Sequence, residues 1–206
     1  MRSLRDISAI GLLIVGFVGG TIFMVLAFTG PRGLPQHATT LPQSMALPQF
    51  SLLDQHGSEF NKDSFNGHWS LVFFGFTHCP DICPATLTQL AIARSRMLTA
   101  GATDFPHIVL VSVDPERDSP EVMAGYVGRF GDGITGVTGR LDELRKLTSA
   151  LGIYFAKSKN ETGDYGIDHS AVVIVVNENA EFQALFRAPH IVDHFVTDMP
   201  LITGQK

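Results

Sequence analysis

The sequence predicts an α/β domain in which a central sheet mixes parallel crossovers with a C-terminal hairpin. Helices flank the sheet, a short β-hairpin precedes it, and a membrane-spanning helix stands at the N-terminus. Three observations carry this expectation. Apolar, β-rich runs at Leu71–Phe76, His107–Val113 and Ala171–Val176 read as buried strands. The first two are each followed by a helical pattern, which is how parallel strands are joined. Finally, 22 uncharged residues, Ile7 to Phe28, are long enough to cross the roughly 30 Å hydrocarbon core as a helix.

Arg2 and Arg5 precede the apolar run, so the N-terminus is expected in the cytoplasm and everything after Gly30 across the membrane. A cleaved signal peptide has an apolar core of about 7–15 residues and a small-x-small cleavage site. This run is longer, and its end, Val-Leu-Ala-Phe-Thr-Gly, offers no such site. No cysteine lies between residues 20 and 40 to carry a lipid. The N-terminus lacks a long Arg/Ser-rich transit segment, which favours a bacterial inner membrane, with the domain in the periplasm, over a mitochondrial one. Residues 31–45, with Pro31, Pro35 and Pro42 among Gln, Thr and Ser, read as an extended linker. His37 and Met45 within this region carry no metal-binding pattern. Residues 46–206 form the domain. A net charge of −5 and the absence of any Lys/Arg block exclude nucleic acid as a partner.

Along the domain, Phe50–Phe60 predicts two short strands around a turn at Asp54–Gly57, and Asn66-Gly67-His68 makes a second turn. Strand Ser70–Phe76 leads into a helix over Ala85–Leu98, whose apolar face is Leu87, Leu90, Ile92, Ala93 and Met97. After the strand His107–Val113, Ser119-Pro120-Glu121 supplies an N-cap, a first-turn proline and an acid for a helix reaching about Phe130. Leu141–Leu151 is a third helix, ended by Gly152. Ile153–Ala156 is expected as a short strand and Lys157–Gly166 as an exposed polar loop. Ala171–Val176 turns at Asn177-Glu178-Asn179 into Glu181–Phe186, and Ile191–Ile202 closes the chain as an amphipathic helix. This order is that of a thioredoxin-like fold with an N-terminal hairpin.

The two cysteines, Cys79 and Cys83, lie in Phe73-Phe-Gly-Phe-Thr-His-Cys-Pro-Asp-Ile-Cys-Pro84, at a strand-to-helix junction. At i and i+4 their sulfurs are close enough to share one metal ion or to form a disulfide. A bridge closing so short a loop adds little stability, so the pair reads as redox-active or metal-binding. Dithiol oxidoreductases place two residues between their cysteines; here there are three. The proline that thioredoxins carry before the facing strand is missing from Gly166-Ile-Asp-His-Ser170, and His169 stands there instead. Peroxidases of this fold carry Thr or Ser three residues before the reactive cysteine, whereas Phe76 and Pro80 occupy those positions. Two thiolates and an imidazole are a soft donor set suited to copper or zinc. A closed zinc site calls for a fourth ligand, for which Asp81, Asp168 and His78 are available and none stands out. Three donors in an oxidising compartment favour copper. His190 and His194, at i and i+4, read as a solvated helix face. Asp114–Asp118 reads as a helix-ordering loop with an Arg117–carboxylate pair.

Three motifs in order, Thr77-His-Cys-Pro-Asp-Ile-Cys-Pro84, Val113-Asp-Pro-Glu-Arg-Asp118 and Asp168-His-Ser170, together with the N-terminal anchor, resemble the Sco/SenC family of copper chaperones from about residue 46 onward. The hairpin turn Asn177-Glu-Asn-Ala180 departs from the Asp-Pro-x-Gly usual there. The resemblance implies a membrane-anchored, thioredoxin-like domain that binds Cu(I) or Cu(II) through Cys79, Cys83 and His169. The family helps assemble the binuclear copper site of cytochrome c oxidase subunit II, which implies an upstream periplasmic copper donor and a thiol reductant as further partners. Asp81 and Asp168 are candidates to tune the ligands. A thiol-disulfide oxidoreductase acting on that subunit through Cys79 and Cys83, or a copper or redox sensor using the same site, are the alternatives.

Overall fold

The computed structural model describes Gly20 and residues 33–102, 105–159 and 165–204. The chain divides into two compact units, Met1–Leu34 and Pro35–Lys206. All the strands described, and the helices packed on them, belong to the second unit. The expected membrane span, Ile7–Phe28, lies outside the described residues apart from Gly20. No helix among the described residues is long and apolar enough to cross a membrane.

In chain order the strands and helices are β1 (Ala38–Ala46), β2 (Ser51–Asp54), β3 (Glu59–Asn61), β4 (Ser70–Gly75), α1 (Ile82–Thr99), β5 (His107–Ser112), α2 (Pro120–Val127), β6 (Ile134–Thr138), α3 (Leu141–Ala150), β7 (Phe155–Lys159), β8 (Tyr165–His169), β9 (Val172–Val176), β10 (Glu181–Arg187) and α4 (Val192–Thr203). Eight strands form one sheet in the order β1-β10-β9-β4-β5-β6-β2-β3, while β7 and β8 pair separately. β4, β5 and β6 run parallel; β9 joins β4 antiparallel and continues into β10. The expected mixed sheet, C-terminal hairpin and N-terminal hairpin (β2–β3, attached at the β6 edge) are all present.

β4 sits at the centre because all six of its residues are buried. A strand buried on both faces needs cover on both, and its uninterrupted apolar run meets that demand. α1 lays Cys83, Leu87, Leu90, Ala93 and Met97 inward. α2 is capped by Ser119, whose hydroxyl accepts from the Val122 N–H, with Pro120 in the first turn. α3 ends at Gly152, whose φ of +67° suits glycine.

Three expectations are corrected. The segment read as a linker over residues 31–45 contains β1, an edge strand paired with β10. Its register shifts between Thr40 and Met45, and Pro42 falls inside that irregularity, where a missing N–H breaks no ladder bond. Buried Asp198 of α4 fixes the start of β1 by accepting from the N–H groups of Gln36, His37 and Ala38 at 3.1, 2.6 and 2.8 Å. The stretch expected as an exposed loop, Lys157–Gly166, instead contributes to β7 and β8, which pair from Phe155↔His169 to Lys159↔Tyr165. β6 is a strand that the sequence pattern does not predict. Its Gly136 weakens the strand signal, yet a Cβ there would lie 3.1 Å from Met123 and Val127, so the glycine lets α2 pack onto the sheet.

Candidate metal centre

The site begins where β4 ends. Cys79 lies in the loop after that strand, its N–H donating to the Phe76 carbonyl at 3.3 Å. α1 starts at Ile82, three residues earlier than expected, so Cys83 falls in its first turn and donates its N–H to Cys79 Sγ at 3.4 Å. Cys83 is fully buried against β4, and this depends on Gly75. A Cβ at that position would lie 2.9 Å from Cys83 Sγ, closer than carbon and sulfur tolerate. Both cysteines are free thiols.

His169, the last residue of β8, completes the group. Cys79 Sγ, Cys83 Sγ and a ring nitrogen of His169 all lie within 4.8 Å of one another, with His169 Nε2 3.6 Å from Cys83 Sγ. Three donors bonded at roughly 2.0–2.3 Å in a trigonal plane stand about 3.5–4 Å apart, so the spacing suits a single small ion. His169 Nδ1 lies 3.2 Å from the Ser170 carbonyl, an acceptor only, which places the proton on Nδ1 and leaves the Nε2 lone pair facing the sulfurs. Phe73 and Phe76 flank the imidazole edge to face.

The two thiols differ electrostatically. Cys79 is lowered to about 4, first by the hydrogen bond from the Cys83 thiol; burial opposes this, while the N–H groups of Asp81 and Cys83 reinforce it. Cys83 is pushed strongly upward by holding the shared proton for Cys79 and by burial. In the metal-free pair, Cys79 is the thiolate and Cys83 the thiol.

Asp81 and Asp168 are placed differently from the three donors. Asp81 meets Cys79 through its backbone N–H; its exposed carboxylate makes no cap bond to α1. Asp168 is exposed and lines the cleft of about 540 Å³ that opens over Cys79 and His169. His78 is exposed on the rim, its Nδ1 3.1 Å from Thr77 Oγ1. The histidine pair expected on a solvated face is not one. His190 precedes α4, buries both ring nitrogens and packs on Phe73 and Phe195, while His194 stacks on His37 at 3.8 Å.

The expected Arg117–carboxylate pair is present, with Asp114 as partner. Two sets of contacts around this loop were not anticipated. Asp118, fully buried, accepts from the Thr77 N–H at 3.0 Å and from the hydroxyls of Thr77 and Ser112, both at 2.5 Å, tying the cysteine loop to β5. Tyr165 donates its hydroxyl to Asp114 Oδ1 at 2.9 Å. The acidic loop was visible in sequence, but its partners lie 41 and 51 residues away, where no local pattern reports them.

The family model described as SCO1/SenC matches residues 38–200. The chain belongs to the SCO1/SenC family. As a member it is 35% identical over 144 residues to the mitochondrial protein SCO1 homolog 1 of Arabidopsis thaliana, covering 70% of this chain and 43% of that protein. The chain thus spans less than half the length of that relative. The crystal structure of Arabidopsis thaliana ScoI with copper bound superposes with a TM-score of 0.73 at 31% identity, covering 78% of this chain and 99% of that one. The solution structure of apo Sco1 from Thermus thermophilus gives 0.70 at 32% identity, over 80% and 95%. These likenesses carry the thioredoxin-like architecture of the SCO1/SenC fold.

Proposed function

We propose that this SCO1/SenC protein binds one copper ion, Cu(I) or Cu(II), as cargo through Cys79, Cys83 and His169 and serves the binuclear copper site of cytochrome c oxidase subunit II. The observation that carries this reading is the convergence of two sulfurs and one imidazole nitrogen at the mouth of an open cleft. Thiolates and imidazole together suit copper, and the related plant ScoI is described with copper bound. Cys79, already a thiolate, engages the ion first; Cys83 surrenders its proton on loading, and His169 offers Nε2. Delivery follows by ligand exchange, each acceptor thiol replacing one protein donor. Oxidation of Cys79 and Cys83 to a disulfide removes two donors, so a thiol reductant keeps the protein competent. An upstream periplasmic donor supplies the copper. The anchor over residues 1–30 holds the domain on the periplasmic face of a bacterial inner membrane, and Asp168 at the cleft rim faces incoming partners.

The lowered Cys79 favours a second reading, a thiol-disulfide reductase. Cys79 would attack a disulfide of the oxidase subunit, Cys83 would resolve the mixed disulfide, and the pair would leave oxidised as the subunit gains two electrons.

Copper titration of the reduced chain separates the two. About one copper per chain, weakened at least a hundredfold by His169→Ala and abolished by oxidation, is the outcome for copper carriage. Absent copper binding, with thiol-disulfide exchange equal in both forms, assigns the reductase instead.

A further inference from the structure

His169 stands on a strand pair that packs only partly against the core, through Ile167, Phe155 and Tyr165. β8 pairs with β7 in a two-stranded sheet separate from the main one, and of the ten residues in the two strands only Ile167 is buried. Open space lies on either side of that residue. Ile167 lines both the cleft over Cys79 and a second cavity of about 440 Å³, bounded also by Val113, Leu141 and Phe155. A two-stranded hairpin with so little apolar packing is marginal by itself.

Polar contacts from the loop after β5 supplement this limited packing. Tyr165 Oη donates to Asp114 Oδ1 at 2.9 Å, and the Arg117 guanidinium pairs with the other oxygen of Asp114. Arg117 also donates to the Tyr165 carbonyl at 3.2 Å and lies 3.9 Å over the Tyr165 ring. Lys157 of β7 approaches the same ring at 4.3 Å while pairing with Glu116 at 2.6 Å. Asp114 is 1% exposed, so these bonds face little competition from water. Tyr165, Ile167 and His169 alternate onto one face of β8, and four residues of strand separate the tyrosine from the histidine by about 13 Å. The same loop grips the cysteine side through Asp118 and Thr77.

We propose that Asp114, Arg117 and Tyr165 form a clamp that positions His169 against Cys79 and Cys83, making them positioning residues for the third copper donor. The inference rests on the copper reading above. It gives the site an order of release: with the clamp open the hairpin carries His169 away while the cysteine pair keeps its geometry, so the imidazole leaves first and the sulfurs last.

The test is a Cu(II) titration of the full chain, reduced and in detergent, for the parent, Tyr165→Phe, His169→Ala and the double variant. Affinity is read together with the nitrogen coupling in the electron paramagnetic resonance spectrum. Tyr165→Phe retains the ring and removes one charge-assisted hydrogen bond, so affinity falls about tenfold and the spectrum moves towards that of His169→Ala. In the His169→Ala background the same change has no further effect, because Tyr165 acts through His169. Equal losses in both backgrounds, or parent-like binding and spectrum in Tyr165→Phe, overturn the clamp. Should the parent bind no copper, the functional reading fails, and the clamp is judged on the metal-free chain. There the His169 ring resonances broaden or shift in Tyr165→Phe if the clamp holds, and unchanged resonances overturn it.

Discussion

Cys79 and Cys83 are the same residue type four positions apart, yet the fold makes them chemically unequal. Cys79 collects donors: the Cys83 thiol and the N–H groups of Asp81 and Cys83. Cys83, sealed behind Gly75, keeps the proton. The thiolate on Cys79 therefore persists far below the ordinary thiol range, and its alkylation rate should stay flat from pH 8 to about 5 and fall only towards pH 4. Cys83→Ala removes the leading donor, and the midpoint should climb. A midpoint near 8 in the parent chain would show that the asymmetry is absent. At this scale the sequence was informative for the donors themselves, since the Cys spacing and the histidine opposite are both local signals. It was silent about Gly75 and Tyr165 and about the partners of Asp118, whose roles exist only through contacts that folding creates.

Three of the misread elements share a cause, whereas buried β6 was hidden by its glycine. β1, β7 and β8 lie at edges or apart from the sheet, and they are mostly exposed or half-exposed, so their residues are polar and carry no alternation to read. Strands buried on both faces, β4, β5 and β9, announce themselves by composition. The error at β1 has a structural consequence. A chain beginning at residue 46 retains everything that the sequence pattern assigns to the domain but loses β1 and the three N–H groups that satisfy Asp198. A buried carboxylate stripped of its partners costs about 3–5 kcal/mol, or roughly 10–15 °C in Tm for a domain of this size. Calorimetry of chains beginning at residues 33 and 46 should show that drop, and Asp198→Asn should recover part of it in the shorter chain alone. Equal Tm values for the two chains would mean that β1 merely rests on the sheet.

Three segments distant in sequence build the site: the Cys79–Cys83 turn after β4, the Asp114–Asp118 loop after β5, and the end of β8. The first two leave the same ends of adjacent parallel strands, and β9 adds the antiparallel neighbour on the other side of β4, so the site opens at the place where the sheet changes direction. The strand–helix order therefore made the location of the site legible, while the hairpin that delivers His169 was not. Behind this arrangement Phe73 of β4 joins the site to the rest of the domain, with His169 against one part of its ring and His190 against another. His190 also packs on Phe195 of α4, linking the sheet to the closing helix. Burial is the first cause that lowers His190 to about 4, and neighbouring His194 acts in the same direction. The unfolded chain, with a histidine near 6.5, binds the extra proton at higher pH than the folded one. Stability is then complete above about pH 6.5, declines as the pH falls towards 4, and levels off below it. After allowance for solvent near the ring edge the loss is on the order of 1–2 kcal/mol. Denaturant unfolding of the parent and of His190→Leu between pH 7 and 4 isolates this contribution. The difference between the two should shrink or reverse by that amount on acidification, because leucine takes up no proton, and a difference independent of pH would place the acid sensitivity on other groups.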